Sequence, residues 1–209
     1  MKRILIVDDH PIVRDGLKRL VEQNGEMSVA GEAGNAAEAL RRLRAAEWDV
    51  VVLDLSLPGR SGLDLLADVR RLRPKTPVLV LTMHGEDDLA IRAFRGGAAG
   101  YLTKDRAAAE LLRALKLVLT GQKYISRTLT DKLLEELQTD AAPAHKKLSN
   151  REYEILTLIA SGRSVKEIAS VLLLSRSTVS TYRRRILQKM GLKTNADLTR
   201  YAVHRRLVE

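Results

Sequence analysis

The chain has no cysteine, so disulfide bridges and thiolate metal centres are excluded. Aromatic residues make up only 3% of it, so its cores must be built from Leu, Val, Ile and Ala. No apolar run approaches the roughly 20 residues a membrane span needs. The longest candidates, near Val50 and Val78, are of strand length. Met1-Lys2-Arg3 leads into a strand of a few apolar residues, too short for the core of a signal peptide. Internal repeats and low-complexity tracts are missing too. These absences predict a soluble, cytoplasmic protein with no membrane partner. At 209 residues the chain allows one or two domains, and 45% hydrophobic content is enough for ordinary cores.

Charge is present but unevenly placed. Residues 1–140 carry 22 Lys/Arg against 21 Asp/Glu, whereas residues 141–209 carry 14 against 5. One third of the chain thus holds nearly all of the net charge of +10. A basic module beside a neutral one points to a polyanionic partner. On charge alone that partner could be DNA, RNA or a membrane surface.

The first 120 residues alternate short apolar runs with helical patterns. Strands are predicted at Arg3–Val7, Ser28–Ala33, Val50–Leu53, Val78–Thr82 and Gly100–Leu102, with helices near Val13–Val21, Ala36–Ala45, Leu63–Leu72, Leu89–Arg95 and Ala107–Leu119. The Val50 run is apolar on both faces, as a central parallel strand should be. Such alternation makes an α/β doubly wound sheet. Polar residues stand at the strand ends: Asp8 and Asp9 after the first, Asp54 after the third, Thr82 closing the fourth and Lys104 just after the fifth. Parallel strands bring their carboxyl ends to one edge, where open α/β sheets place their sites. Three carboxylates gathered there need a cation, and oxygen-only ligands point to Mg²⁺. Taken singly, each residue has a plainer reading. The acidic pair before His10-Pro11 could be a helix cap, Lys104 a solvated lysine and Thr82 a strand-end hydroxyl.

This set resembles the receiver domain of bacterial two-component response regulators, over about residues 1 to 120. The resemblance implies a flavodoxin-like (CheY-like) five-stranded sheet of order 2-1-3-4-5. It implies that Asp54 accepts a phosphoryl group from a sensor histidine kinase. Asp8, Asp9, Asp54 and the backbone carbonyl of Ser56 would hold Mg²⁺, Lys104 would pair with the phosphoryl oxygens, and Thr82 and Tyr101 would be the switch residues. Asp105 follows Lys104 where many receivers have Pro. His84 reads as a partly exposed loop residue, although its place two residues after Thr82 would let it influence hydrolysis. His10 reads as structural.

Residues 122–146 are expected to be a linker, with Leu129, Leu133, Leu134 and Leu137 on one face of a helix and an aperiodic stretch from Thr139 to His145. From Leu148 the pattern is helical. Ser149-Asn150-Arg151-Glu152 and Ser164-Val165-Lys166-Glu167 are capping boxes. Gly162 closes the first helix. A turn at Leu173–Ser175 leads into a helix capped by Ser175, with Val179, Ile186, Leu187 and Met190 as its buried stripe, and Gly191 ends it. A last helix begins at Thr194. Two short helices joined by a three-residue turn form a helix-turn-helix, whose second helix fits a DNA major groove. The plainer alternative is a small helical bundle with a solvated basic face.

Residues 147–209 are similar to the four-helix DNA-binding domain of NarL/FixJ (LuxR-type) regulators. The likeness rests on Leu148-Ser149-Asn150-Arg151-Glu152, Glu154-Ile155-Leu156, Ala160-Ser161-Gly162, Lys166-Glu167-Ile168-Ala169, Ser177-Thr178-Val179 and Lys189-Met190-Gly191-Leu192. It implies that Ser180, Thr181 and Arg184 face bases in double-stranded DNA, while Lys166, Arg183, Arg185 and Lys189 meet phosphates. It further implies that the last helix pairs two copies on a two-fold site. The chain departs from the family at Val165, where Asn is common, and at Ser180, where a Lys is common, so no relative's target sequence transfers safely. The expectation for the whole chain is a response regulator, not a turnover enzyme. Phosphorylation would make it dimerise and control its DNA binding and transcription. An Asp-nucleophile phosphatase would use the same acidic cluster, and a regulator with an unphosphorylated receiver would carry the same two modules.

Overall fold

The computed structural model describes residues 1–23, 25–83, 88–126, 129–131, 143–205 and 207–208. His84, Leu133, Leu134, Leu137 and the 139–142 part of the expected linker lie outside the described residues. The chain divides into two compact units, Met1–Leu134 and Glu135–Glu209.

The first unit runs β1 (Lys2–Val7), α1 (Pro11–Glu22), β2 (Met27–Ala33), α2 (Ala36–Ala45), β3 (Val50–Leu53), α3 (Gly62–Leu72), β4 (Val78–Thr82), α4 (Asp88–Arg95), β5 (Gly100–Thr103) and α5 (Ala107–Leu119). All strand pairs are parallel, in the order β2-β1-β3-β4-β5. This is the flavodoxin-like order expected. Successive strand residues point to opposite faces, so each strand feeds two cores. Leu5, Val7, Val51, Leu53, Val80 and Tyr101 join buried residues of α2, α3 and α4. Ile4, Ile6, Val50, Val52, Leu79 and Leu81 join those of α1 and α5. With both faces covered, β3 and β4 are buried along their whole length.

The packing of this unit does not stop at residue 121, where the receiver was expected to end. Tyr124 forms a parallel bridge with Gly100, at the edge of β5. The Tyr124 N–H donates to the Ala99 carbonyl at 3.0 Å, and the Tyr101 N–H donates to the Tyr124 carbonyl at 3.2 Å. A Cβ on Gly100 would lie 2.9 Å from that of Tyr124, so glycine permits the approach. Leu129 is fully buried in the core that holds Tyr101. Covering an open edge in this way removes a row of unpaired backbone groups.

The second unit is helical: α6 (Asn150–Ala160), α7 (Val165–Val171), α8 (Arg176–Met190) and α9 (Asn195–His204). Both predicted capping boxes are present, with Ser149 accepting from the Glu152 N–H and Ser164 from the Glu167 N–H. Thr194 and Asp197 form a third, and Ser175 caps α8 as expected. Leu173, in the turn between α7 and α8, takes φ 51°, a left-handed conformation that costs a non-glycine residue roughly 1–2 kcal/mol. Val179, Ile186 and Met190 are buried along α8, while Leu187 is only half-buried. Among the described residues, no helix is long and apolar enough to cross a membrane.

Candidate functional site

Backbone register builds the site of the first unit. The Asp54 N–H donates to the Val7 carbonyl at 2.8 Å, and the Asp8 N–H to the Ala33 carbonyl at 3.0 Å. These bonds carry the ladders one step past β1 and β3 and set Asp8 and Asp54 side by side at the carboxyl edge. Both are buried, at 1% and 2% exposure. Lys104 opens a 3₁₀ turn (Lys104–Arg106) directly after β5. Its Nζ lies 2.6 Å from Asp8 Oδ2 and 2.6 Å from Asp54 Oδ2. Asp54 Oδ1 accepts the Ser56 N–H at 3.0 Å. The loop after Asp54 turns back sharply: the Gly62 N–H donates to the Leu55 carbonyl, and a Cβ on Gly62 would meet the Leu55 backbone at 2.3 Å.

Asp9 completes the cluster. Asp8, Asp9, His10 and Asp54 present ligand atoms within 4.8 Å of one another, a group that could hold a metal ion. Asp8 Oδ2 and Asp9 Oδ1 are buried without an aligned hydrogen-bond donor. Each has a basic nitrogen close by, Lys104 Nζ at 2.6 Å for Asp8 and His10 Nδ1 at 2.8 Å for Asp9. A hard cation would satisfy that spare acceptor capacity. The charges leave a mark on the titration of the pair. Burial pushes the Asp54 carboxyl above the ordinary aspartate range, against the Lys104 ammonium and the Ser56 N–H, which pull it down. Burial also works against the charge of Lys104, but the hydrogen bond to Asp54 and the carboxylate of Asp8 hold its ammonium above the ordinary lysine range. Lys104 is therefore the cation of the site, shared between two carboxylates.

Thr82 ends β4, fully buried. Tyr101 is 1% exposed and faces the core shared with Ala90, Ile91 and Leu129. The strand that carries Tyr101 therefore leads to Lys104 at its end and holds Tyr124 along its edge. The plainer reading of Asp8 and Asp9 as a helix cap is not realised: His10 is the N-cap of α1 with no side-chain cap hydrogen bond, and Asp8 Oδ1 accepts the N–H of His10 itself at 2.8 Å.

In the second unit the outward face of α8 presents Ser180, Arg184 and Arg185, all exposed, with Thr181 half-buried. Lys166 is exposed on α7. The Thr181 hydroxyl donates to the Ser177 carbonyl at 3.0 Å, and Arg185 stands 6.0 Å from the centre of the Tyr182 ring. Two more of the predicted DNA residues bond to side chains of other helices in the unit. Lys189 Nζ lies 2.6 Å from Glu152 Oε2, and Arg183 Nε donates to Asn195 Oδ1.

Residues 4–116 match the response regulator receiver domain family, and residues 146–202 match the luxR family of bacterial regulatory proteins. The chain is a LuxR-family response regulator. It is 36% identical to the response regulator GacA of Pseudomonas viridiflava over 211 residues, covering 100% of this chain and 99% of that one. It is 35% identical to the response regulator UvrY of Escherichia coli O157:H7 over 207 residues, covering 97% and 94%. Among solved structures it resembles RcsB of Salmonella enterica serovar Typhimurium, bound to promoter rprA in the presence of phosphomimetic BeF3-. That likeness has a TM-score of 0.67 and 28% identity, over 96% of this chain and 97% of that one.

Three features of this response regulator escape sequence reasoning. His10 reaches both acidic side chains, at 2.8 Å to Asp9 and 3.4 Å to Asp8. Arg14 braces the site from α1, its Nη1 donating to the Asp8 carbonyl at 2.7 Å and its Nε to Glu32 at 3.2 Å. Glu152, legible only as a capping residue, is also the buried partner of Lys189. The position of Arg14, five residues after Asp9 in the first turn of α1, was a usable signal. The pairing of Glu152 with a residue 37 positions away was not.

Proposed function

We propose that this regulator is switched by phosphorylation of Asp54 and that its α8 then reads a two-fold site in double-stranded DNA. The observation that carries the proposal is Lys104 bridging Asp8 and Asp54, a single ammonium shared by two buried carboxylates. A carboxylate is a competent nucleophile toward phosphorus. A sensor histidine kinase supplies the donor: a bond forms from an Asp54 carboxylate oxygen to phosphorus as the P–N bond of a phosphohistidine breaks. Such a transfer needs mainly positioning and charge neutralisation. Ser56 N–H fixes one Asp54 oxygen, leaving Lys104 to follow the transferred oxygens. Asp8, Asp9, Asp54 and the Ser56 carbonyl would hold Mg²⁺, which when bound neutralises the carboxylates and the phosphoryl group. His10 would have to yield its hold on Asp9 for that.

The phosphoryl group adds about −1.5 to −2 charge. Thr82, at the end of the adjacent strand, is the hydroxyl that turns toward it, and Tyr101 reports the change along β5. In the second unit Ser180, Thr181 and Arg184 read bases, while Lys166 and Arg185 meet phosphates; α9 pairs two copies. Phosphate contacts set affinity and salt dependence, whereas base contacts set specificity. The protein acts as a switch rather than as a turnover enzyme.

The test is incubation of the full chain with acetyl phosphate and Mg²⁺, followed by mass spectrometry of the intact protein and its peptides. One added phosphoryl group, lost with chelator and absent from Asp54→Asn, is the expected result. Incorporation that survives Asp54→Asn would place the acceptor elsewhere. Continuous release of phosphate from an added ester would favour the phosphatase reading.

A further inference from the structure

Arg183 and Lys189 stand among the basic residues of α8, yet their surroundings set them apart. Helical periodicity puts Arg183 four residues after Val179 and three before Ile186, within the buried stripe rather than opposite it. Its guanidinium Nε donates to the side chain of Asn195, the first residue of α9. Lys189 lies in the last turn, and its ammonium reaches Glu152 Oε2 at 2.6 Å. Glu152 is 3% exposed, and the same oxygen accepts the Ser149 N–H at 2.8 Å. Burial disfavours the Glu152 charge, but Lys189 and Ser149 more than compensate and hold its carboxyl below the ordinary glutamate range. A carboxylate buried this deeply requires its cation.

We infer that Lys189 and Arg183 are positioning residues that clamp the reading helix α8 against α6 and α9, and that neither is a phosphate contact. The inference rests on the reading of α8 as the DNA-reading helix. It narrows that helix's own contacts to Ser180, Thr181, Arg184 and Arg185. The two pins sit on different neighbours, so together with the core stripe they fix both the tilt and the rotation of α8. A small rotation would carry Arg184 and Ser180 away from the base edges they must meet, and specificity would fall before affinity for any duplex did.

The test uses the full chain and a duplex that the wild type selects from a randomised pool, beside a scrambled duplex of the same length. Each phosphate contact contributes about 0.9 to the slope of log affinity against log salt. Arg185→Gln should make that slope shallower by about 0.9. Lys189→Gln should leave the slope unchanged and lower the selected-to-scrambled affinity ratio about tenfold, the scale of one misaligned base contact. Glu152→Gln keeps a capping side chain and adds a positive charge by releasing Lys189. It should still lower the ratio to a similar extent. Lys189→Arg, which keeps the ion pair, should restore the ratio and serves if Glu152→Gln does not fold. A shallower slope in Lys189→Gln, or an unchanged ratio in Glu152→Gln, overturns the clamp. If the wild type selects no duplex, the DNA-reading proposal fails first, and Glu152–Lys189 coupling in thermal unfolding then separates the clamp from that failure.

Discussion

The two units bury charge in opposite ways. In the receiver, Asp8 and Asp54 are buried against one shared ammonium, with Asp9 beside them engaged by His10. In the DNA-binding unit, Glu152 is buried against one ammonium of its own and the N–H of its own helix cap. The first arrangement is short of positive charge and has buried acceptor atoms to spare; the second is balanced. An unbalanced cluster costs stability and gains a use, because a cation or phosphoryl chemistry can supply what is missing. A balanced pair has nothing left to bind and serves to hold two helices in register. The direction of the shifts agrees: the Asp54 carboxyl is pushed up by burial, whereas that of Glu152 ends below its ordinary range.

The largest effect should come from removing the receiver's cation. Lys104→Met leaves two buried carboxylates with no ammonium and should destabilise that unit by about 3–5 kcal/mol. Urea unfolding followed with and without Mg²⁺ checks this, since the loss should shrink when Mg²⁺ is added. A loss indifferent to Mg²⁺ would mean the cluster is not short of charge. The extent of the receiver is tested next. Leu129→Ala removes a fully buried side chain and should cost about 2–4 kcal/mol. An effect under about 0.5 kcal/mol, the scale of a surface change, would return residue 129 to the linker.

Glu152→Gln breaks the balanced pair and should cost about 1–2 kcal/mol at neutral pH, with no dependence on Mg²⁺. Its sign with pH follows from a carboxyl held below its ordinary range. The stabilisation is present above the unfolded value of about 4.3 and fades as the pH falls through the lower folded value. The stability of the wild type should therefore fall on the acid side more steeply than that of the variant. Asp54→Asn should act in the opposite direction and least strongly, stabilising the receiver by on the order of 1 kcal/mol without Mg²⁺, because it removes a carboxylate whose burial is unfavourable. Loss of stability in both variants would erase the contrast between the two units.

Much of this was legible in the chain. Each strand-end residue followed from an apolar run of strand length, and parallel order then forced Asp8, Asp54, Thr82 and Lys104 to one edge. The caps at Ser149, Ser164 and Ser175 were legible because a capping side chain bonds only three residues ahead. What escaped depends on distant geometry. Tyr124 and Leu129 fell within the expected linker because neither belongs to an apolar run of strand length, while the place of Tyr124 is decided by the open edge of β5 and by the missing side chain of Gly100. The partners of Arg183 and Lys189 within the unit escaped because a basic residue's partner is invisible in a one-dimensional pattern. Helical phase placed Arg183 toward the core, and that signal was available.

The most direct test of the account is the affinity of the full chain for its selected duplex, measured with and without acetyl phosphate and Mg²⁺, for the wild type and for Asp54→Asn. Coupling between the two sites predicts that the phosphodonor tightens binding of the wild type by about fivefold or more and leaves Asp54→Asn unchanged. Equal affinity in all four measurements would contradict it, and would make Asp54 something other than the control point of this regulator.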